Sequence, residues 1–245
     1  PGVAVQSNVC FTSPLINPAP TQSMPASTPG KSKPDTRERL LAASLQAFGH
    51  NDYQAVSTRQ IVERAEANIS AISYHFGGKR ELYLATAEYL AKALRQSMAG
   101  PLNEIRARAA KANAEGSREL LGELVRAFTH SILQGELSAD AAGFIFREQL
   151  DPTDAFDILY RELMEPMQAT YAGLLGRILG RDPQEPSIKL LTHSLMGQIM
   201  IFRLAQTTIL RRLGATSFDG DDTRAISDLI LQNTFAAIDM RLRQD

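Results

Sequence analysis

The sequence predicts an all-α fold, with a small N-terminal three-helix domain followed by a larger helical domain. Apolar residues recur at helical spacing from Leu40 to the C-terminal region. Capping residues stand before several of these apolar runs, and Gly or Pro stands after them. The stretch Ser57–Leu82 adds two short helical patterns and a tight break between them, the outline of a helix-turn-helix. We therefore predict a disordered arm over residues 1–34, a helix-turn-helix domain over 35–80 and a larger helical domain over 81–245.

The predicted arm has the composition of a disordered segment. Residues 1–34 contain seven of the twelve prolines and show no helical periodicity. They lack the basic start and long apolar centre of a signal peptide, and no Arg precedes Arg37, so we expect neither a signal nor a transit peptide. Cys10 is the single cysteine, which excludes an intramolecular disulfide and a zinc site built on thiolates. These features predict a cytoplasmic protein.

Charge is distributed unevenly along the chain. The formal net charge is only -1, so the protein as a whole has no attraction for nucleic acid. Residues 31–80, however, carry eight Lys or Arg against five Asp or Glu, whereas residues 81–245 carry 18 against 22. The positive field is therefore concentrated where the helix-turn-helix is predicted.

Three helices are predicted in the N-terminal domain. The first follows a capping-box-like start at Asp35, and a Ser-x-x-Gln capping box at Ser57 begins the second, over Thr58 to about Ala65. Asn68 is the expected cap of the third, over Ile69–Phe76. The short connection between the second and third helices is typical of a helix-turn-helix.

The third helix is the candidate reader of DNA. Its residues are mostly small, so its backbone can approach the floor of a major groove. Lys79 follows a Gly-Gly pair in the first turn of the next helix, where the helix dipole disfavours a cation, and we therefore expect a phosphate partner. The residues expected at base edges are Ile69, Ser70, Ala71 and Ser73. The alternative is three ordinary helices of an all-α core with solvated cations.

Five features of this stretch carry a family resemblance: the pair Ile61-Val62, the break Ala65–Asn68, Ile72, the triplet Tyr74–Phe76 and the run Gly77–Leu82. Together they resemble the DNA-binding domain of TetR-family transcriptional regulators. The resemblance implies that the third helix reads DNA and that a long fourth helix connects it to an effector domain. The phosphate-contacting residues that it implies are Thr58, Tyr74, His75 and Lys79.

Two positions depart from the family's usual pattern. Glu66 stands where Gly is usual, so we expect a non-Gly residue in a left-handed turn, at a cost of about 1 kcal/mol. Ser73 stands where Tyr is usual, and Tyr74 lies one place later. That shift rotates the aromatic side chain by about 100° around the helix.

The rest of the chain is predicted to be helical, with breaks at Pro and Gly. We expect the fourth helix to stop at Gly100-Pro101 and a kink at Pro166. The predicted helices cover residues 79–98, 102–114, 117–133, 141–150, 156–179, 187–213 and 223–242. The run Arg147–Thr153 resembles the C-terminal domain of the CerR-type subgroup of TetR regulators.

The predicted helix over 187–213 is apolar around most of its circumference, so it must be buried in a core, an interface or a membrane. Four polar residues interrupt it too often for a membrane span: His193, Gln198, Arg203 and Gln206. The family resemblance implies that the last two helices meet their symmetry mates in a homodimer. Burial within one protomer is the alternative.

No catalytic or metal-binding pattern stands out in the sequence. The four His residues show no metal-ligand spacing, and the chain has neither a nucleophile elbow nor a dinucleotide-binding Gly motif. We therefore expect no enzyme activity, metal or cofactor. The candidate residues for a small-molecule site are Phe144, Arg147, Glu148, His193, Gln198 and Arg203. The alternative is that these residues form ion pairs and that His193 is a satisfied core histidine.

The resemblance implies a homodimeric transcriptional regulator, a repressor that binds a palindromic operator and is released by a small molecule. Its larger domain would then be the ligand-binding and dimerisation domain. The main alternative is a helical small-molecule-binding or scaffold protein that does not read DNA, suggested by Glu66 and by the shift from Ser73 to Tyr74. An enzyme of helical fold has no residue that could be named as its nucleophile or base.

Overall fold

Helices form all the regular secondary structure in residues 35–134 and 138–243, the part of the chain that the structure, a computed structural model, describes. The all-α fold class is thereby confirmed. The predicted arm over 1–34, with Cys10, lies outside the described residues. Among the described helices, none combines the length and the apolar character that a membrane crossing needs.

The N-terminal domain consists of three helices around a small core. Its helices are α1 (Thr36–His50), α2 (Thr58–Arg64) and α3 (Ser70–Phe76). Phe48, Ile61 and Ile72 are buried between them. The three predicted helices are therefore confirmed, within a residue or two at their ends.

The caps of these helices follow the sequence with one exception. The Ser57 hydroxyl accepts a hydrogen bond from the Gln60 amide, and the Gln60 side chain accepts one from the Ser57 amide, so the capping box is confirmed. The Asn68 carboxamide oxygen accepts from the Ser70 amide at 3.1 Å, although α3 begins one residue later than predicted. Asp35 is the N-cap of α1, so the predicted start of the helix is confirmed, but its side chain makes no capping hydrogen bond and the predicted box is wrong.

The fourth helix is longer than predicted. Helix α4 (Lys79–Ala109) continues through Gly100-Pro101, where the sequence predicted its end. A proline inside a helix removes one backbone hydrogen bond, but Pro101 is exposed, and Met98 and Ile105 on either side of it are buried. Packing on both sides of the proline therefore keeps the helix continuous. The separate helix predicted over 102–114 is wrong.

Seven further α-helices and one π-helical segment make up the C-terminal part. They are α5 (Ala114–Leu133), α6 (Ala139–Leu150), α7 (Asp154–Leu159), the π segment (Tyr160–Met164), α8 (Glu165–Leu179), α9 (Pro186–Leu204), α10 (Gln206–Leu213) and α11 (Gly220–Leu242). The irregularity expected at Pro166 is confirmed, as the π segment that ends just before it. The single helix predicted over 187–213 is wrong, because the chain leaves α-helical geometry at Ala205, with ψ of 21°.

Helix α5 occupies the centre of the C-terminal part and packs against α4, α8, α9 and α11. Its buried face includes Leu120, Leu121, Leu124 and Val125. Helix α6 lies elsewhere and packs mainly along α1, the first helix of the N-terminal domain. The C-terminal part of the chain therefore touches the N-terminal domain through α6, which packs on α1, as well as through the covalent connection along α4.

Candidate nucleic-acid interface and effector domain

Helix α3 presents most of the predicted DNA-reading residues to solvent. Ile69 is 54% exposed and Tyr74 is 85% exposed, and Ser70 and Ser73 are also exposed. Ala71 is half-buried, and Ile72 points into the domain core. The exposed Ile69 and Tyr74 side chains indicate that this short polar helix contacts another molecule.

Two cations lie near the C-terminal end of α3, each placed over an aromatic ring. The Lys79 ammonium lies 4.4 Å from the centre of the Tyr53 ring, and the Arg37 guanidinium lies 5.2 Å from the centre of the Phe76 ring. Partial burial lowers the pKa of the Lys79 ammonium from its ordinary value. Arg80 differs from both, because it pairs with Asp154 of α7.

Sequence reasoning missed Arg37 as a member of this surface. It lies in the first turn of α1, and only the packing of α1 against α3 brings it to Phe76. Thr58 at the start of α2 and His75 on α3, two other predicted phosphate contacts, are half-buried. The His75 ring contacts Tyr74, with the ring centres 4.9 Å apart.

A cluster of aromatic rings lies beneath Lys79 and connects the N-terminal domain to α6. Tyr53 contacts Phe48 and Tyr83 at ring-centre distances of 5.9 and 5.0 Å, and Tyr83 contacts Phe144 of α6 at 4.9 Å. The Tyr83 hydroxyl donates a 2.5 Å hydrogen bond to Glu148 Oε1. Burial and this bond to a carboxylate raise the pKa of Tyr83 well above its ordinary value.

Glu148 is the one acid among the described residues that is almost fully buried, with 1% of its surface exposed. Its carboxylate also accepts hydrogen bonds from the Thr153 amide at 2.9 Å and the Thr153 hydroxyl at 3.0 Å. A buried carboxylate needs such donors to offset the loss of water. Its hydrogen-bonding capacity is therefore used within the protein.

The six predicted ligand-binding residues fall into two groups. The three on α6 face the N-terminal domain: Phe144 and Glu148 contact Tyr83, and Arg147 pairs with Asp52. The three on α9 lie elsewhere, because α9 packs against α5, α8, α10 and α11. The structure therefore does not gather the six into one site, and their binding of a ligand stays a prediction.

The α9 residues have partners of their own. Gln198 accepts a hydrogen bond from Asn233 of α11 at 3.3 Å, and Arg203 donates one to Gln206 at 2.6 Å. His193 is exposed, so the alternative of a satisfied core histidine is wrong.

The interior of the C-terminal helices contains hydroxyl groups that the sequence analysis did not identify. Thr129 of α5, Tyr171 of α8 and Thr192 of α9 are at most 2% exposed, and their hydroxyls have no hydrogen-bond partner among the described residues. Burial raises the pKa of Tyr171 above its ordinary value. Unpartnered buried hydroxyls are costly, which makes them candidates for contact with a bound molecule.

An apolar stripe lies exposed on α9 and α11. Leu190, Ile201 and Leu204 share one side of α9, and Leu229 and Met240 share one side of α11; their exposed fractions range from 48% to 73%. The two helices are in contact. Burial within one protomer, the alternative proposed for this region, is wrong for these residues.

Within residues 35–134 and 138–243, no three His, Cys, Asp or Glu side chains come close enough together to hold a metal ion.

Two family descriptions match separate parts of the chain. Residues 40–86 match bacterial regulatory proteins of the tetR family, and residues 117–239 match the C-terminal domain of the HTH-type transcriptional dual regulator CecR. The HTH-type transcriptional dual regulator CecR of Shigella flexneri is 34% identical over 205 residues, which cover 80% of this chain and 91% of that protein.

Solved structures show the same fold at low sequence identity. A protein of Pseudomonas aeruginosa PAO1 described as a transcriptional regulator has a TM-score of 0.59 at 15% identity, covering 85% of this chain and 92% of that one. The regulator FadR of Bacillus subtilis, solved with stearoyl-CoA, has a TM-score of 0.54 at 16% identity, covering 80% and 96%.

Proposed function

The chain belongs to the TetR family of bacterial transcriptional regulators, with a CecR-type C-terminal domain, and we propose that it acts as a homodimeric repressor released from a palindromic operator by a small molecule. Membership confirms the family resemblance of the helix-turn-helix, and the subgroup named CerR-type in the sequence analysis is the CecR type. Four features of this function are proposals: binding to a palindromic operator, homodimerisation, repression rather than activation, and release by a small-molecule effector.

The exposed face of α3 is the observation that supports operator binding most directly. We assign Ile69, Ser70, Ala71 and Ser73 to base edges, where small side chains allow close approach. Contacts to phosphates are assigned to Thr58, Tyr74, His75, Lys79 and the newly identified Arg37. Sequence would then be read by the centre of the helix, while cations near its C-terminal end fix its position.

Dimerisation is proposed through the apolar stripe on α9 and α11. A large exposed apolar surface indicates an interface between molecules, and its two-helix width suits a symmetric contact with the same surface of a second copy. Such a dimer would place two α3 helices about 34 to 36 Å apart, in successive major grooves.

The effector is proposed to bind among the C-terminal helices, where Thr129, Tyr171 and Thr192 offer unpartnered hydroxyls. FadR, a protein of the same fold, was solved with stearoyl-CoA, which supports a small-molecule effector for this chain without identifying it. The name of the Shigella relative, a dual regulator, favours activation at other sites as a second candidate role beside repression.

The alternative of a scaffold that does not read DNA is less well supported. Its motivation was Glu66 and the shift from Ser73 to Tyr74. Glu66 takes the left-handed conformation that a Gly would take, with φ of 49°, and Tyr74 is on the open face of α3. Neither departure closes the surface that DNA would meet.

The test is selection of random duplexes on the purified protein, followed by fluorescence anisotropy at two salt concentrations. We expect an enriched palindrome with half-sites about one helical turn apart. Lys79→Ala should weaken binding to every duplex and reduce the slope of log K against log salt by about one unit, because one phosphate contact is lost.

Lys92→Ala is the matched control, since Lys92 is exposed on the same helix but farther from α3. It should leave affinity and slope unchanged. A folded dimer that enriches no duplex would contradict operator binding, and an unchanged slope for Lys79→Ala would remove Lys79 from the contact surface.

A further inference from the structure

We propose that Tyr53 and Glu148 are positioning residues that hold Lys79 in place for its DNA phosphate, acting through Tyr83. The inference rests on the proposed operator binding and extends it. Glu148 belongs to α6, so the effector part of the chain would set the strength of one DNA contact directly. This role differs from the ligand contact that the sequence suggested for Glu148.

Lys79 contacts the ring of Tyr53. The ammonium lies 4.4 Å from the ring centre, within the range of a cation-π interaction. Among the described residues no carboxylate pairs with Lys79, so its charge is available to a phosphate. A free Lys side chain loses much rotamer entropy when it binds, and the ring reduces that loss by ordering it beforehand.

Tyr83 shares a face of α4 with Lys79. The two residues are four positions apart, so their side chains lie one above the other. Both contact the Tyr53 ring, which lies 5.0 Å from the Tyr83 ring. The position of Tyr53 against the start of α4 therefore determines where the ammonium is held.

Tyr83 also contacts α6. Its ring contacts Phe144, and its hydroxyl donates to the buried carboxylate of Glu148. Thr153 holds the same carboxylate with two further donors, so Glu148 has little freedom to follow Tyr83 if α4 moves. The register of α4 against α6 is thus fixed at the turn that follows Lys79.

Arg147, the neighbour of Glu148, strengthens the connection from the other side. It pairs with Asp52, the residue before Tyr53. Helix α6 therefore contacts both elements that position the ammonium. Arg147 holds the loop that carries Tyr53, and Glu148, through Tyr83, holds the helix that carries Lys79. A shift of α4 relative to α6 would separate the ring from the ammonium.

The experiment is a double-mutant cycle on operator affinity. Tyr53→Leu removes the ring, and we expect about threefold to fivefold weaker binding with a reduced salt slope, as for loss of one cation-π contact. In a Lys79→Ala background the same substitution should have no further effect, because the group that it positions is gone. Tyr53→Phe keeps the ring and should bind as the wild type does.

Tyr83→Phe provides a second variant should Tyr53→Leu fail to fold. It keeps every ring contact and removes only the hydrogen bond to Glu148. We expect weaker binding in the wild-type background and none of that loss in the Lys79→Ala background. A purely structural role would instead give losses that add to those of Lys79→Ala.

The outcomes separate this inference from the proposed function. Wild-type protein that binds no selected duplex would overturn operator binding itself. If the wild type binds, then additive losses, wild-type affinity in Tyr53→Leu and Tyr83→Phe, or wild-type affinity in Lys79→Ala would overturn the positioning role and leave operator binding in place.

Discussion

Glu66 joins α2 to α3 in a conformation that non-glycine residues rarely adopt. Its φ of 49° places the Cβ atom close to the following carbonyl, at a cost of about 1 to 2 kcal/mol. The Arg39 guanidinium donates a hydrogen bond to the Glu66 carbonyl oxygen at 3.4 Å, which helps to hold the turn. Glu66 therefore has the left-handed conformation that the family pattern predicts, although a non-glycine side chain is strained there.

Glu66→Gly should raise the free energy of unfolding by about 0.5 to 1 kcal/mol, since relief of the strain exceeds the entropy that Gly loses on folding. Thermal or denaturant unfolding would measure it. Glu66→Ala is the control, because it removes the carboxylate but keeps Cβ and the strain. Equal gains in both variants would show that the side-chain charge, not the backbone, is responsible.

At the scale of elements, α1 and α6 approach each other through two glycines. A Cβ atom on Gly143 would lie 2.1 Å from the Gly49 carbonyl oxygen, and one on Gly49 would lie 2.3 Å from the Asp140 carbonyl oxygen. His50 and Asp140 pair at 2.6 Å beside this contact. The N-terminal domain and the C-terminal part are thus in contact at backbone distance.

Gly143→Ala should lower the free energy of unfolding by about 1 to 3 kcal/mol, because α1 and α6 must move apart to admit the methyl group. The matched control is Gly173→Ala in α8, where a Cβ would meet nothing within 4 Å. That variant should be stabilised by up to about 1 kcal/mol through helix propensity alone. Urea unfolding of both variants tests the expectation, and equal effects would contradict it.

At the scale of the whole molecule, the exposed apolar stripe on α9 and α11 is the proposed dimer contact. Five large apolar side chains on two contacting helices remain exposed in one protomer. The stripe also borders a surface cavity of about 420 Å³, lined by Ala236, Asp239, Met240 and Arg243. An apolar surface on two adjacent helices suits a dimer contact in which helices pack on helices.

Ile201→Lys should convert the dimer to a monomer, because two copies would each bury an unpaired ammonium in the contact. Sedimentation velocity reports the change directly, and operator affinity should fall with it. Leu150→Lys is the matched control, since Leu150 is 87% exposed but lies on α6, away from the stripe. A dimer that survives Ile201→Lys would place the interface elsewhere.

The helix-turn-helix shows how much local sequence can determine. The Ser57 capping box, the acceptor role of Asn68 before α3 and the left-handed Glu66 were all predictable, because each depends on atoms within a few residues. The α3 face of the site was predictable for the same reason. Arg37 and Tyr53 were not, because their contacts with Phe76 and Lys79 form only when separate helices pack.

The sequence by itself therefore determined the all-α class, the position of the helix-turn-helix and the family. The tertiary structure alone decided that α4 continues past Pro101, that α9 ends at Leu204 and that Glu148 meets Tyr83, 65 residues away. Helix signals act over one or two turns, whereas the fate of a proline or a buried acid depends on what packs against it. The α6 residues whose chemistry suggested a ligand site were accordingly placed at the junction with the N-terminal domain.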